Sequence, residues 1–355
     1  MLEQLSGASV LPLVEVDTHS EELRDERGFI GDRANRRAFD AVLQDWRDRV
    51  KLIVEEDPLG TKPGRQSKKK LDRAHKKGGA LTAGIMHTAI EEFAAELATV
   101  TLRFLETEQW RGTERIVVGG GLSSSRVGEV IIGRASVLVK AEGKPVLMAP
   151  IRNHPDEAAL IGATQLAPSW MLRGSDALLA VDIGGSNIRA GLVELRLDVE
   201  PDLSLSSVRK LGLWRYADEK VRPTREEAID RIISMLTGLV ELAKEEGLRL
   251  APIIGVACPG AIAEDGTILR GGQNLPGNWE EPGWNLGAAL SKGIPSIEGH
   301  ETLVIIHNDA VVQGLSEAPF MRDIDRWGVL TIGTGLGNAR FSNRPLPSGG
   351  AEQAA

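Results

Sequence analysis

The feature that most constrains the fold of this chain is an apolar run that ends in an acidic residue and a Gly-Gly pair. Residues 177–190 read Ala-Leu-Leu-Ala-Val-Asp-Ile-Gly-Gly-Ser-Asn-Ile-Arg-Ala, which predicts a buried strand, a tight turn and a return strand. We expect Gly184 and Gly185 to adopt positive φ and to bring backbone N–H groups against an anion, with the next two side chains as further donors. Asp182 is placed to hold a hydrated divalent cation, because hard cations prefer carboxylate oxygen. A purely structural hairpin has the same pattern.

Two further apolar strands also run into glycine-rich turns. Residues 327–337 end in Gly-Thr-Gly-Leu-Gly, and residues 116–125 contain three glycines followed by hydroxyl side chains. Together with a Pro-Gly turn at 259–260, they predict one nucleotide held by backbone groups from several sides. None of the turns has the Walker pattern or the Gly-x-Gly-x-x-Gly spacing of a dinucleotide site.

These motifs resemble those of the ROK sugar kinases, the bacterial glucokinase-like branch of the actin-fold phosphotransferases. Residues 182–189 look like the family's first phosphate motif, 333–337 like its second, and 119–123 like its adenosine motif. The resemblance implies a two-lobed actin-like/ribonuclease H-like α/β ATPase fold that uses ATP and Mg²⁺, with Asp182 holding the ion through water. The residues that it assigns to the nucleotide are Asp182, Gly184, Gly185, Ser186, Asn187, Arg189, Gly333, Thr334, Gly335, Gly337, Gly120, Gly121 and Ser123.

The pair Asn308 and Asp309 is similar to the family's catalytic Asn-Asp pair. It follows the apolar strand 303–308 and opens a predicted helix, so the Asp309 carboxylate is expected at a positive helix end. A sugar hydroxyl is a poor nucleophile, and Asp309 is the predicted general base that accepts its proton, while Asn308 bonds a substrate hydroxyl. The alternative is that either residue simply caps the helix.

Two stretches, 255–260 and 272–279, are similar to the family's sugar-side loops. Asn274 and Asn278 are predicted contacts for sugar hydroxyls, since amides both donate and accept hydrogen bonds. Gly260 is predicted to lie at the same substrate, and Trp279 to offer an apolar face to a pyranose ring. A turn-forming asparagine beside Pro-Gly is the alternative interpretation of Asn278.

The order of the motifs differs from that of the family. The adenosine motif and the helix after it close the family's chain, whereas here they occupy 116–170 and precede the first phosphate motif. The sequence therefore predicts a circular permutant, which is tolerated where the old termini lie close together. We expect a large lobe of 1–150 plus 305–355, with the adenosine motif and second phosphate motif, and a small lobe of 151–304.

The permutation break falls where the family carries a Gly-Glu-x-Gly-His segment and a Cys-rich zinc loop. Residues 1–7 look like the run after that loop, and 349–352 like a vestige of the run before it. Cys258 is the single cysteine, so no Cys-based structural zinc and no disulfide is expected within the chain. The sugar-contacting Glu and His of that segment have no secure counterpart, and the sugar stays unidentified.

Composition is typical of a cytoplasmic enzyme. The chain has 355 residues and a net charge of −8, which argues against a general nucleic-acid-coating role. No apolar run approaches the ~20 residues that span a bilayer, and the first residues lack the pattern of a signal peptide. We expect ATP and a sugar as ligands, without membrane or nucleic-acid partners; a homodimer stays open.

Residues 62–79 are an exception to the acidic composition, with eight Lys or Arg between 62 and 77. One interpretation is a solvated insert, bracketed as a loop by Pro-Gly and Gly-Gly. The other is a segment that flanks the cleft and draws in an anionic ligand, or that binds a partner surface.

Strand and helix patterns alternate along the chain, which indicates an α/β architecture. The predicted strands are 116–118, 137–139, 178–182, 190–194, 253–257, 303–306 and 327–332, and the predicted helices are 36–54, 82–108, 124–135, 156–166, 225–246 and 309–317.

Two functional hypotheses follow. The first is an ATP- and Mg²⁺-dependent sugar kinase, a phosphotransferase with an alcohol acceptor. The second is a non-catalytic, sugar-sensing regulatory protein, because the same family includes repressors. Residues 1–60 show neither a helix-turn-helix pattern nor a basic recognition helix, and the phosphate motifs and Asp309 are retained. These features favour the kinase.

Overall fold

The computed structural model describes residues 5–60 and 66–345. Three sequence predictions lie at least partly outside these residues: the first four positions of 1–7, the run 349–352, and the start of the basic segment 62–79.

The described residues form an α/β protein. Its helices are α1 (Arg36–Val54), α2 (Lys68–Lys77), α3 (Ala80–Glu106), α4 (Arg126–Ala141), α5 (Ala158–Gly162), α6 (Arg225–Glu245), α7 (Leu286–Gly293) and α8 (Asp309–Leu315), with 3₁₀ turns at Ile30–Ala34, Ala163–Gln165, Ser169–Leu172, Tyr216–Asp218 and Ala318–Phe320. Its strands are β1 (Val14–His19), β2 (Arg24–Asp25), β3 (Gly28–Phe29), β4 (Arg115–Gly119), β5 (Leu147–Pro150), β6 (Ala177–Ile183), β7 (Ile188–Glu194), β8 (Ser207–Trp214), β9 (Leu250–Cys258), β10 (Ala261–Ile262), β11 (Ile268–Arg270), β12 (Ser296–Ile297), β13 (His300–Glu301), β14 (Leu303–Asn308), β15 (Arg326–Ile332) and β16 (Leu336–Asn343).

The chain divides into two compact units. Among the described residues, the first unit contains 5–20, 156–325 and 341–345, and the second contains the rest. The expected lobes differ from this division at four places. Residues 5–20, 305–325 and 341–345 were expected with the large lobe and lie in the first unit, whereas 151–155 was expected with the small lobe and lies in the second. The physical reason for the position of 305–325 is that β14 is hydrogen-bonded to β9 as a parallel neighbour.

The first unit is built on a sheet in the order β14-β9-β6-β7-β8. β6 and β9 are almost wholly buried apolar runs, as expected for strands covered on both faces. Ile254 and Val256 share a core with Ile232 and Leu236 of α6. Gly255, on the opposite face, lies against Ala163, just after α5. The sheet is therefore covered by α6 on one face and by the α5 region on the other.

The second unit contains parallel strands in the order β15-β4-β5, with β16 beside β15. Helices α1, α3 and α4 pack over them around a core that includes Phe39, Phe93 and Phe104. The pairing of β4 with β15 joins segments about 200 residues apart in the sequence, as the permuted motif order predicts. The permutation itself remains a proposal.

One predicted strand is wrong. Residues 137–139 belong to α4, whose buried residues Val127, Ile131, Ala135 and Val139 recur every four positions. The β-branched residues of this stretch favour a strand locally, but packing of the helical stripe determines the outcome. The other predicted strands and helices are confirmed, with shifted ends and with a 3₁₀ turn completing the predicted helix 156–166.

The loop interpretation of the basic segment is also wrong for its described part. Lys68–Lys77 is the helix α2, which begins at the N-cap Ser67 and buries Leu71 to 1% exposure. Leu71 therefore anchors α2 to the protein, although the composition of this segment suggested a solvated loop.

Candidate functional site

The carboxyl ends of three parallel strands in the first unit lie together. The register pairs Asp182 of β6 with Ala257 of β9, and Cys258 of β9 with Asn308 of β14. Ligands of open α/β sheets bind outside this edge, beyond the carboxyl ends of the strands. The structure thus brings together Asp182, Asn308 and Asp309, which the sequence predicts to act in one site.

Asp309 is half-buried and is the first residue of α8. One carboxylate oxygen accepts the N–H of Ala310 at 2.9 Å. Burial raises the pKa of Asp309 to about 6, and the negative charge of Asp182 adds to the effect. The group is therefore ionised at neutral pH and more basic than an ordinary aspartate, as a general base for a hydroxyl proton should be.

Asp182 is buried and forms a charge cluster with the partly buried Arg189 and Asp156. Arg189 faces Asp182 across the β6–β7 hairpin and donates to it at 2.8 Å, and it donates to Asp156 at 2.7 Å. Burial raises the pKa of Asp182 despite the neighbouring Arg189, and the charge of Asp156 raises it further. Burial opposes the charge of Arg189, but the two carboxylates more than compensate and raise its pKa.

The donor chemistry around Asp182 fits a Mg²⁺ ion. Asp182, Asp156 and Asp309 bring three carboxylates to one region, where Arg189 supplies one positive charge. In the part of the chain that the structure describes, no three His, Cys, Asp or Glu side chains are grouped to hold a metal by themselves. Mg²⁺ keeps several waters and is commonly bound by one or two carboxylates plus substrate phosphates, so such a sparse set suits it.

Asn308 is a helix cap with a fully engaged amide. Its side-chain oxygen accepts the N–H groups of Ala310 and Val311, and its Nδ2 donates to Gly260 O at 2.9 Å and Ser20 Oγ at 3.1 Å. Asn308 therefore caps α8, as the alternative interpretation of the sequence predicts. The predicted contact with a substrate hydroxyl stays a prediction, and it requires one of these bonds to be exchanged.

A pair of histidines, His19 and His307, lies beside Asn308 and was not predicted from the sequence. The Nδ1 of His307 accepts the N–H of Asn308 at 2.7 Å, and its Nε2 contacts Ala8 O at 3.1 Å. Burial, with a contribution from His19, lowers the pKa of His307 to about 4, so the ring is neutral. The motifs gave no signal for this cluster, because His19 and His307 are almost 300 residues apart and meet only after folding.

The turn after β6 differs from its predicted geometry. Gly184 donates to Asn187 O at 2.9 Å, but neither Gly184 nor Gly185 lies in the left-handed region, so the expected positive φ is wrong. The space for a side chain at Gly185 is limited by a neighbouring loop. A Cβ at Gly185 would lie 3.2 Å from the Cβ of Asn274, so the turn packs directly against the predicted sugar loop.

Asn274 is exposed on this loop, and its carbonyl accepts from Arg222 Nη2 at 2.9 Å. Its side-chain amide forms no hydrogen bond with any residue in the described ranges, which leaves it able to bind a hydroxyl group. Asn278 instead accepts the N–H of Glu280 at 3.1 Å, the turn role considered for it from the sequence.

Gly260 and Trp279 are the two remaining predicted residues of the sugar loops. Gly260 adopts φ +100°, and a Cβ there would lie 2.0 Å from Arg270 O. The prediction that Trp279 faces a sugar ring is wrong: its side chain is 1% exposed, packs against Trp284 and donates to Pro276 O. The Trp279 ring is therefore part of the hydrophobic core of the first unit.

In the second unit, the two remaining glycine-rich turns follow the adjacent parallel strands β4 and β15. Gly120 has φ +86° and lies so close to β15 that a Cβ would be 2.4 Å from Ile332 O. By contrast, Gly121 and Gly335 have no atom within 4 Å of an added Cβ. The hydroxyl of Ser123 donates to Gly120 O at 2.8 Å and so closes its own turn.

The environment of Cys258 gives a direct test of the site geometry. The thiol is fully buried at the end of β9, and burial, with the charges of Asp309 and Asp182, raises its pKa well above the usual value. We expect native protein at pH 8 to react with an aromatic disulfide reagent at least ~100-fold more slowly than unfolded protein, because the reactive species is the thiolate. Absorbance of the released thiolate with and without guanidinium measures this, and fast stoichiometric labelling of the native protein would contradict the burial.

Comparison with known proteins gives only distant similarities. No protein-family model and no curated protein matches the chain. Among solved structures, a candidate sugar kinase from Cytophaga hutchinsonii has a TM-score of 0.35 and 20% identity, and a candidate N-acetylmannosamine kinase from Listeria monocytogenes has 0.31 and 23%. Each match covers 50% of this chain, and 52% and 51% of the respective structures, so the chain matches about half of their length. These TM-scores are too low to carry a functional argument.

Among the described helices, none combines the length and apolar character needed to cross a membrane.

Proposed function

We propose that this chain transfers a phosphoryl group from ATP to a hydroxyl group of a sugar. The observation that carries the proposal is Asp309, a carboxylate with a pKa of about 6 at the shared carboxyl edge of β6, β9 and β14. Phosphoryl transfer needs a base for the attacking hydroxyl and otherwise depends on positioning and charge neutralisation.

In this proposal Asp309 accepts the proton of the acceptor hydroxyl. The free amide of Asn274 is assigned to a second hydroxyl of the sugar. Asn308 holds the Gly260 turn through its Nδ2 bond and so fixes the wall of the site beside the base. Asn278 contributes by shaping the loop.

The turn 184–187 is assigned to the phosphates of ATP, with Asp182 and Arg189 beneath it. Arg189 orients the Asp182 carboxylate through the 2.8 Å bond. When bound, Mg²⁺ would neutralise phosphate charge, and Asp182 would hold it through water. In the second unit, the assignment of Gly333, Thr334, Gly335, Gly337, Gly120, Gly121 and Ser123 to the nucleotide stays a prediction.

We also propose that the chain is a circular permutant of the ROK order. The pairing of β4 with β15 and the packing of α5 against α8 support this proposal. Gly162 lies so close to α8 that a Cβ would be 1.8 Å from Val312 O. A helix from before the first phosphate motif is thus packed beside the helix that carries Asp309.

The test is ADP release in a coupled assay with a panel of hexoses and amino sugars. We expect saturable release that depends on one sugar class and on Mg²⁺, with the sugar phosphate visible by phosphorus NMR. Release without sugar dependence would indicate an ATPase and contradict the proposal. Sugar binding by calorimetry without turnover on any sugar would favour the regulatory alternative.

A further inference from the structure

The outward face of α2 carries five cations. Lys69, Lys70, Arg73, Lys76 and Lys77 are all exposed. At 100° per residue these positions fall within a sector about 120° wide, so they form one continuous face. We refer to these five residues as the basic face.

The basic face lacks anionic partners within the chain. None of its members forms an ion pair with a residue in the ranges 5–60 and 66–345, whereas other exposed arginines of the same unit do. Arg126 is paired with Glu129 at 2.9 Å, and Arg134 with Glu91 at 2.7 Å. Like charges at i,i+4 on a helix destabilise it, so Lys69 and Lys77 each repel Arg73, and an anionic ligand would reduce that repulsion.

The inner side of α2 is fixed to the protein. Leu71 is 1% exposed, Lys68 donates to Ser124 Oγ at 2.7 Å, and Asp72 accepts the N–H of Val127 at 3.1 Å. The apolar residue of the helix is therefore already buried. The helix has no apolar face left to insert into a lipid bilayer, as a membrane-surface helix would require.

The net charge of −8 argues against coating of nucleic acid by the whole surface, but the charge is positive on this one face, and we propose that the basic face binds the phosphate backbone of a nucleic acid. The five charges extend over about 12 Å of helix, or one charge per ~2–3 Å, comparable to the one charge per ~1.7 Å along duplex DNA. The five side chains are long cations that match phosphate oxygens, so the proposal concerns contacts with the backbone and not with base edges. The test measures binding of a duplex and does not depend on the proposed phosphoryl transfer.

The experiment is fluorescence anisotropy with a labelled mixed-sequence DNA duplex of about 20 base pairs, titrated with the full chain over a range of salt. The test variant combines Lys69→Gln, Arg73→Gln and Lys76→Gln. The matched control combines Lys140→Gln, Lys220→Gln and Lys244→Gln, which removes the same charge from exposed positions elsewhere. We expect the test variant to bind at least ~10-fold more weakly at about 50 mM salt, with the slope of log K against log salt reduced by about 2–3. The control should stay within about 2-fold of the unmodified protein.

Three outcomes would overturn the proposal. They are no binding of the duplex at low salt, equal loss of binding in the two triple variants, and equal or better competition by phosphatidylserine vesicles or polyglutamate. Thermal unfolding monitors folding, and the test variant should be no less stable, because repulsion is removed. If it does not fold, Arg73→Gln alone should reduce the salt slope by about 1.

Discussion

Asp309→Asn is expected to lower the rate of phosphoryl transfer by at least ~10²-fold, the lower part of the range for loss of a general base. Asparagine keeps the size of the side chain and can still accept the N–H of Ala310, so binding of sugar and ATP should be retained. Turnover in the coupled ADP assay and sugar binding by calorimetry separate the two effects. A folded variant with near-normal turnover would show that Asp309 is not the base.

The same substitution is expected to stabilise the protein above pH 6. The folded-state pKa of Asp309, about 6, lies above its ordinary value of 3.8. A raised pKa means that the folded state binds the proton more tightly, so this contribution to stability is present below the unfolded pKa and is lost as pH rises through about 6. At pH 7.5 the asparagine variant lacks the buried charge and should gain about 1–3 kcal/mol in free energy of unfolding.

A matched control is Asp230→Asn on the exposed face of α6, which should change neither turnover nor stability. The pH profile gives a further check, since the proposed turnover of the unmodified protein should fall as pH drops through about 6. A stability gain from Asp309→Asn that was equal at pH 4 and pH 8 would contradict the linkage.

The shared position of Asp182 and Asp309 at one edge of the sheet could be predicted from the sequence, because it depends on local strand patterns. Asp182 is the penultimate residue of β6 and Asp309 directly follows β14, and parallel strands bring such ends to one edge. The residues that the sequence analysis missed depend on long-range contacts. Ser20 reaches Asn308 across 288 positions, and no local pattern specifies that meeting.

The wrong predictions share a cause. From sequence alone, a tryptophan beside Pro-Gly and a glycine pair after a strand are each compatible with a ligand contact. Tertiary packing determines whether such residues contact a ligand or other parts of the protein. Trp279 fills the core beside Trp284, and an added Cβ at Gly185 would crowd Asn274. The strand expected at 137–139 follows the same principle, since Val139 belongs to the buried stripe of α4 and Val137 is exposed.

Arg189→Met is expected to cost about 3–5 kcal/mol in free energy of unfolding, because it leaves Asp182 buried without its partner. The side chains of Asp182 and Arg189 are 12% and 15% exposed, so water cannot replace the lost bond. The control is Arg249→Met, which breaks an ion pair with Asp176 at side-chain exposures of 66% and 36%. That loss should be at most about 1 kcal/mol, as for other surface pairs. Urea unfolding at pH 7.5 measures both.

The pH dependence and a double variant show whether the loss arises from the unpaired charge. Burial already raises the pKa of Asp182, and removal of Arg189 should raise it further. The folded state then favours the protonated acid, so the cost of Arg189→Met should shrink as pH falls from 8 towards 5. Adding Asp182→Asn removes the charge, and the double variant should recover most of the lost stability, because the two residues are directly coupled. If the double variant were as unstable as the single one at every pH, the loss would come from packing of the arginine stem, and Asp182 would not be the charge that Arg189 compensates.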